Sequence, residues 1–138
     1  MSVVKRVLFV CVENANRSQM AEAFARILGG ESVEAYSAGS QPSGKVNLKA
    51  VEAMRELGYD LMSHGSKSLD ELPDVAFDFV ATMGGGDACP MVQAKQRADW
   101  PIPDPKHLPT NEFRVIRDLI REKVRDTLDE LGVPSNVT

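Results

Sequence analysis

The chain has no long apolar run, few cysteines and no basic tract, and each shortage removes a class of protein. Nothing in its 138 residues approaches the roughly 20 consecutive apolar residues a membrane helix requires, and Val7-Leu8-Phe9-Val10 is too short for the core of a secretion signal. Two cysteines, Cys11 and Cys89, are too few for a disulfide scaffold and too far apart for a Cys-x-x-Cys metal clasp. The two histidines, His64 and His107, stand apart from each other and from any carboxylate pattern that would seat zinc on a helix. No metal is expected. With 16 basic against 20 acidic residues and a formal charge of -4, the electropositive footprint of a nucleic-acid binder is missing. The expectation is a reduced, cytoplasmic protein forming a single domain over 1–138, bound to neither membrane nor nucleic acid.

What remains is an ordinary globular composition, 43% hydrophobic and 26% charged, neither disordered nor repetitive. Val7-Leu8-Phe9-Val10 reads as a strand covered on both faces, because its apolar run is continuous rather than alternating. From Ser18 the spacing changes: Met20, Phe24, Ile27 and Leu28 recur at helical intervals, Glu22 and Arg26 can pair one turn apart, and Gly29-Gly30 ends the run. Residues 33–38 predict a second strand, and Leu48, Val51, Met54 and Leu57 mark a second helix stopped by Gly58. A helical turn around 68–72 precedes a strand at 77–81, which runs into Gly84-Gly85-Gly86. The prolines between Trp100 and Pro109 exclude helix and predict a short strand with an extended loop. Phe113, Ile116, Ile120, Val124, Leu128 and Leu131 form one stripe of a long charged helix closed by Gly132 and Pro134. Strands alternating with helices imply right-handed crossovers, hence an α/β three-layer sandwich: a parallel sheet with helices on both faces. Ligands of such sheets sit at the carboxyl ends of strands, where the loop after Val10 belongs.

That loop, Cys11-Val12-Glu13-Asn14-Ala15-Asn16-Arg17-Ser18, sets a cysteine and an arginine in the spacing Cys-(x)5-Arg between a strand and a helix start. The arrangement suits a tetrahedral oxyanion. Amides of residues 12 to 17 turned inward form a nest, the helix adds its positive end, and the Arg17 guanidinium can grip two oxygens. The same groups favour a thiolate at Cys11, the attacking form of a cysteine. Ser18 can donate a hydrogen bond to the sulfur, and Asn14, with Asn16 in support, tolerates the left-handed backbone tight loops need. Alone, Cys-(x)5-Arg is a weak signal; its place between strand and helix supplies the specificity. The plain alternative is a small buried thiol at a strand end.

Taken together, Val7-Leu8-Phe9-Val10-Cys11, Asn14, Arg17-Ser18-Gln19-Met20-Ala21-Glu22, Ser37-Ala38-Gly39, Thr82-Met83, Asp87-Ala88-Cys89-Pro90 and Asp104-Pro105 cover nearly the whole chain. In this order they resemble the low-molecular-weight protein tyrosine phosphatase superfamily and, within it, the arsenate reductases built on that fold. The resemblance implies a four-stranded parallel sheet, Cys11 as nucleophile, Arg17 as oxyanion binder and Asp104 as proton donor to the leaving group. A carboxylic acid reaching in from a separate loop fills that last role well, although Asp before Pro is also a common turn former.

Arsenate and phosphate are near-isosteric, so the loop alone does not separate reduction from ester hydrolysis. A second thiol does, because arsenate reduction needs one to attack the arsenic-bearing sulfur and leave a disulfide. Cys89 is the candidate, set against the reading of an inert structural thiol. Asp87-Ala88-Cys89-Pro90 looks like the reductase branch, and Lys106 stands where phosphatases of the family typically carry an aromatic after Asp-Pro. Without that aromatic wall, stacking against an aryl ester is weaker. The expectation is arsenate reduction, with phosphate and sulfate as analogues, no bound cofactor, and an external thiol or a thioredoxin- or glutaredoxin-like reductant. The alternative is a low-molecular-weight tyrosine phosphatase working through phosphocysteine. A non-catalytic anion sensor is disfavoured, since a sensor needs no leaving-group acid.

Three departures from the family pattern stand out. Thioredoxin-linked reductases of the family use three cysteines, and here Gly84, Gly85 and Gly86 fill the loop where the intermediate one would stand. Either Cys89 attacks Cys11 directly or an external thiol completes the turnover. Glu13 occupies a loop position that is often glycine, so its carboxylate is expected to point outward. Some family reductases bind potassium through the loop Asn, the helix Glu, the Ser of Ser-Ala-Gly and a later Asp; Asn14, Glu22 and Ser37 match, whereas Lys67 lies near the last. Its ammonium is expected to take the place of the ion.

Overall fold

The computed structural model describes residues 4–83 and 93–133, in which strands and helices follow one another as β1 (Lys5–Val10), α1 (Arg17–Gly29), β2 (Val33–Ala38), α2 (Leu48–Arg55), β3 (Phe77–Met83), β4 (Ala94–Trp100) and α3 (Thr110–Glu130). The strands are all parallel, in the order β2-β1-β3-β4. β1 is covered on both faces, as its continuous apolar run requires. Val7 and Phe9 enter the core shared with α1 and α3, while Leu8 and Val10 join a smaller cluster with Ala38, Phe77 and Val80. None of the four is more than 1% exposed, and each contributes on the order of 2 kcal/mol by burial.

The outer layers are unequal. Among the described residues, α1, α2 and α3 pack on the Val7 and Phe9 side, and a 3-10 turn at Leu69–Glu71 brings Leu69 and Leu72 to the opposite side. The result is the three-layer α/β sandwich. Gly30, at φ 53°, takes the left-handed conformation that terminates α1 where the glycine pair predicts. On α3, Phe113, Ile116, Ile120, Val124 and Leu128 are buried as their stripe implies. On α2 the stripe differs: Leu48 and Leu57 are exposed, and Ala50, Val51, Ala53 and Met54 face the core. The helix ends at Arg55, and its two alanines give the contact face instead of the larger leucines. Arg117, buried on α3, donates to the Ala53 carbonyl at 2.9 Å and to Glu56 at 2.7 Å. Hydrogen bonds from Arg114 and Arg117 hold the Glu56 carboxyl down to about 2.

The expectation of a strand between Trp100 and Pro109 is corrected. The fourth strand lies earlier, at Ala94–Trp100, and residues 101–109 form an extended segment with a turn. Lys95, Gln96 and Arg97 are exposed, so β4 is a polar edge strand recruited by pairing with β3 rather than by its own apolar pattern. The glycines 84–86 and the segment Asp87-Ala88-Cys89-Pro90 lie outside the described residues. No described helix is long and apolar enough to cross a membrane.

Candidate active site

In the order β2-β1-β3-β4 the chain passes from β1 to β2 on one side and returns to β3 on the other, so the sheet switches direction at the carboxyl end of β1. Val10 pairs with Ala38 and with Thr82, and the next residue is Cys11. The loop that follows is held from outside by its carbonyls. Val12 accepts from the Gln41 amide at 2.8 Å, Glu13 from the Ser43 amide and the Ser66 hydroxyl at 3.0 Å, and Ala15 from the Asn47 amide at 3.1 Å. Carbonyls bonded away from the loop in this way are the polarity an anion nest requires. Gly39, after β2, lets this arc lie against it: a Cβ there would sit 2.8 Å from the Cys11 carbonyl and closer still to that of Val12.

Beneath the arc runs a chain of buried polar groups. Asn14 adopts φ 50°, the left-handed conformation an Asn tolerates. Asn16 does not share it: its φ is -126°, and its side-chain oxygen is buried without a hydrogen-bond partner among the described residues. The Lys67 amide donates to Asn14 Oδ1 at 2.7 Å. A peptide N–H can only donate, so this bond fixes which end of the Asn14 amide is oxygen. Nδ2 therefore donates to Ser18 Oγ, 2.8 Å away. With a lone pair thus occupied, the Ser18 hydroxyl is free to donate to Cys11 Sγ at 2.8 Å. The chain extends in the other direction through Gln19, whose Nε2 donates to Asn14 Oδ1 and to the Gly65 carbonyl, both at 2.9 Å. Gln19 Oε1 accepts from His64 Nδ1 at 2.9 Å, and His64 Nε2 lies 2.6 Å from the Tyr59 hydroxyl. Burial lowers the His64 imidazole below its ordinary value and raises the Tyr59 phenol. Both directions favour a neutral imidazole accepting from a protonated phenol.

At the mouth, Cys11, Val12, Glu13, Ala15, Asn16, Arg17 and Asp104 line one cavity of about 240 Å3. Arg17 is buried and donates through one terminal nitrogen to the Ile102 carbonyl at 2.9 Å; the other lies 3.9 Å from Asp104 Oδ2. One side of the guanidinium is thus used to fix its plane, and the acid stands beside it. The Asp104 segment is strapped down again by Lys49, which donates to the Leu108 carbonyl at 2.9 Å, and by Lys106, whose ammonium is 3.2 Å from both carboxylate oxygens of Glu13. The Glu13 carboxylate, which lines the cavity, is thus held by Lys106.

Below the loop, Glu22 is a buried carboxylate taking a hydrogen bond from Ser37 at 2.6 Å and one from Arg26 at 3.0 Å, with Lys67 Nζ at 3.8 Å. The lysine ammonium therefore supplies a cation beside Glu22, anchored by its bond to the Gly65 carbonyl at 2.8 Å. Among the described residues no group of three or more His, Cys, Asp or Glu side chains is placed to hold a metal.

The structure brings Cys11, Arg17 and Asp104 around one pocket, with Ser18 buried against the Cys11 sulfur, whereas Cys89 falls outside the described residues. Sequence reasoning missed His64, which reads as isolated because its partners Gln19 and Glu22 belong to α1. Gly39 carried a usable signal, a glycine directly after a strand, but its partner is another backbone and left no mark of its own. Among known proteins, the family described as low molecular weight phosphotyrosine protein phosphatase matches residues 6–135. The chain is 35% identical to arsenate reductase 2 of Staphylococcus saprophyticus, over 91% of this chain and 97% of that one. It is 39% identical to a putative arsenate reductase of Halobacterium salinarum, over 90% and 91% of the two chains. A solved arsenate reductase in its phosphate-binding state superposes with a TM-score of 0.84 at 30% identity, covering 92% of this chain and 98% of that one. A thioredoxin-dependent arsenate reductase of Corynebacterium glutamicum gives 0.78 at 35% identity, with 95% of this chain and 63% of that one covered. The pocket, the sheet order and these likenesses agree, and the chain belongs to the low-molecular-weight phosphotyrosine protein phosphatase family.

Proposed function

We propose that this chain reduces arsenate to arsenite with Cys11 as the nucleophile. The observation that carries the reading is the Cys11 sulfur held 2.8 Å from the Ser18 hydroxyl, which itself accepts from Asn14, in a cavity lined also by Arg17 and Asp104. The Cys11 thiolate attacks arsenic, an S–As bond forms, and an arsenate oxygen leaves as water with a proton from Asp104. Arg17 and the backbone amides of the loop residues that line the cavity, Val12, Glu13, Ala15 and Asn16, are proposed to take up the charge on the remaining oxygens. A second thiolate then attacks the Cys11 sulfur. An S–S bond forms, the S–As bond breaks with its electron pair going to arsenic, and arsenite departs. Arsenic gains the two electrons that the thiols lose.

Cys89 is proposed as that second thiol, because its segment follows directly from the carboxyl end of β3, the strand beside β1. The disulfide then needs an external dithiol, for which a thioredoxin-like protein is the proposed reductant in a cytoplasmic setting. Incubation with arsenate and a thioredoxin or glutaredoxin system should yield arsenite, Cys11→Ser should abolish it, and Cys89→Ser should stop turnover after one mixed disulfide. Wild-type rates in Cys89→Ser would remove that residue from the mechanism. Rapid cleavage of p-nitrophenyl phosphate with no arsenite would select ester hydrolysis instead.

A further inference from the structure

The Lys106–Glu13 contact joins two segments that face each other across the pocket. Glu13 belongs to the anion loop and lines the cavity. Lys106 follows the acid, and its own amide donates to Asp104 Oδ1 at 3.0 Å, so the lysine stem rises from the wall that carries Asp104. Both side chains are part-exposed, 43% and 39%, and the ammonium meets both carboxylate oxygens. A contact so exposed adds little to stability. A lone carboxylate here would oppose a doubly charged guest, and a lone ammonium would leave the span open.

We propose that the Glu13–Lys106 pair is a bar across the pocket mouth that determines specificity, admitting a free inorganic oxyanion and excluding an aryl or alkyl ester of it. The pair cancels the charge of Glu13 next to the anion and occupies the space through which an ester substituent would have to leave the pocket. This rests on the reading of the pocket as an oxyanion site, and it concerns which oxyanion enters rather than what is done to it.

The test measures binding by calorimetry, with inorganic phosphate and phenylphosphonate as probes, on the full chain and without turnover. Wild type binds phosphate more tightly than phenylphosphonate. Lys106→Ala exposes Glu13 and weakens phosphate roughly five- to tenfold, the effect of one uncompensated charge on a dianion near a water-filled mouth. That loss, relative to wild type, shrinks as sodium chloride is raised, because screening acts on exposed charges. The double variant Glu13→Ala/Lys106→Ala regains most of the phosphate affinity and binds phenylphosphonate several-fold more tightly than wild type. The proposal is overturned if phenylphosphonate affinity is unchanged in the double variant, or if the two single substitutions act additively on phosphate. Absence of arsenite formation by wild type would overturn the reductase reading and leave this binding preference standing, so the two failures are distinguishable.

Discussion

The floor of the pocket and its rim are held by different forces. Beneath Cys11, the groups Ser18, Asn14 and Gln19 are fully buried and each is fixed by neighbours that can bond in only one sense, such as the Lys67 amide and the Gly65 carbonyl. At the rim, Lys106 meets Glu13, both side chains part-exposed. A buried network is costly to break because each orphaned group loses water as well as its partner. An exposed ion pair is cheap to break and sensitive to salt. The floor therefore governs reactivity and stability together, while the rim governs what enters, with little effect on stability.

Substitutions that separate these two regions put the difference at risk. The largest effect is expected at Gly39, where Gly39→Ala pushes a methyl into the Val12 and Cys11 carbonyls; kcat/KM for arsenite formation should fall on the order of a hundredfold, the cost of displacing a reacting group by about 1 Å. Asn14→Ala leaves Ser18, Gln19 and the Lys67 amide without their partner, and urea unfolding should show a loss of about 2–4 kcal/mol. His64 gives a smaller, pH-dependent effect. Burial lowers its pKa below the ordinary 6.5, against the opposing pull of Glu22, so the unfolded chain takes up the proton more readily than the folded one. Stability is then full above 6.5 and declines as pH falls from there through the folded value. Urea midpoints on a descending pH series, with the imidazole titration followed by NMR, check both the sign and the midpoint. The smallest effect on stability is expected at the rim, where Lys106→Ala should cost no more than about 1 kcal/mol while changing anion affinity. A loss at Lys106 as large as that at Asn14 would erase the distinction between the two regions.

Much of this was legible beforehand, for a physical reason. β1, α1 and α3 bury continuous or regularly spaced apolar residues, and that spacing is a local property of the chain. The Cys11 to Ser18 loop was legible for a similar reason: its parts are contiguous, and the strand and helix that frame it are the strongest elements in the pattern. β4 was not, because Ala94-Lys95-Gln96-Arg97-Ala98-Asp99-Trp100 takes its strand character from β3, a partner no local window contains. Of the apolar stripe on α2, Val51 and Met54 are buried and Leu48 and Leu57 are not, because alanine counts weakly in such patterns yet shares that interface. His64 and Tyr59 joined the site only through contacts distant in sequence. The family resemblance sets Lys67 near the last of the potassium-binding positions, and its ammonium lies 3.8 Å from Glu22.

The hydrogen that steadies the sulfur is owed to a peptide bond 53 positions beyond Asn14. A nascent chain that has emerged only as far as α1 already displays the full motif, yet it lacks the amide that orients Asn14 and, through it, Ser18. Until the stretch around Gly65 and Lys67 has docked, the bond that orients Asn14 toward Ser18 is unmade. The polar order beneath Cys11 is thus a tertiary property, completed only by a stretch of chain that follows α2.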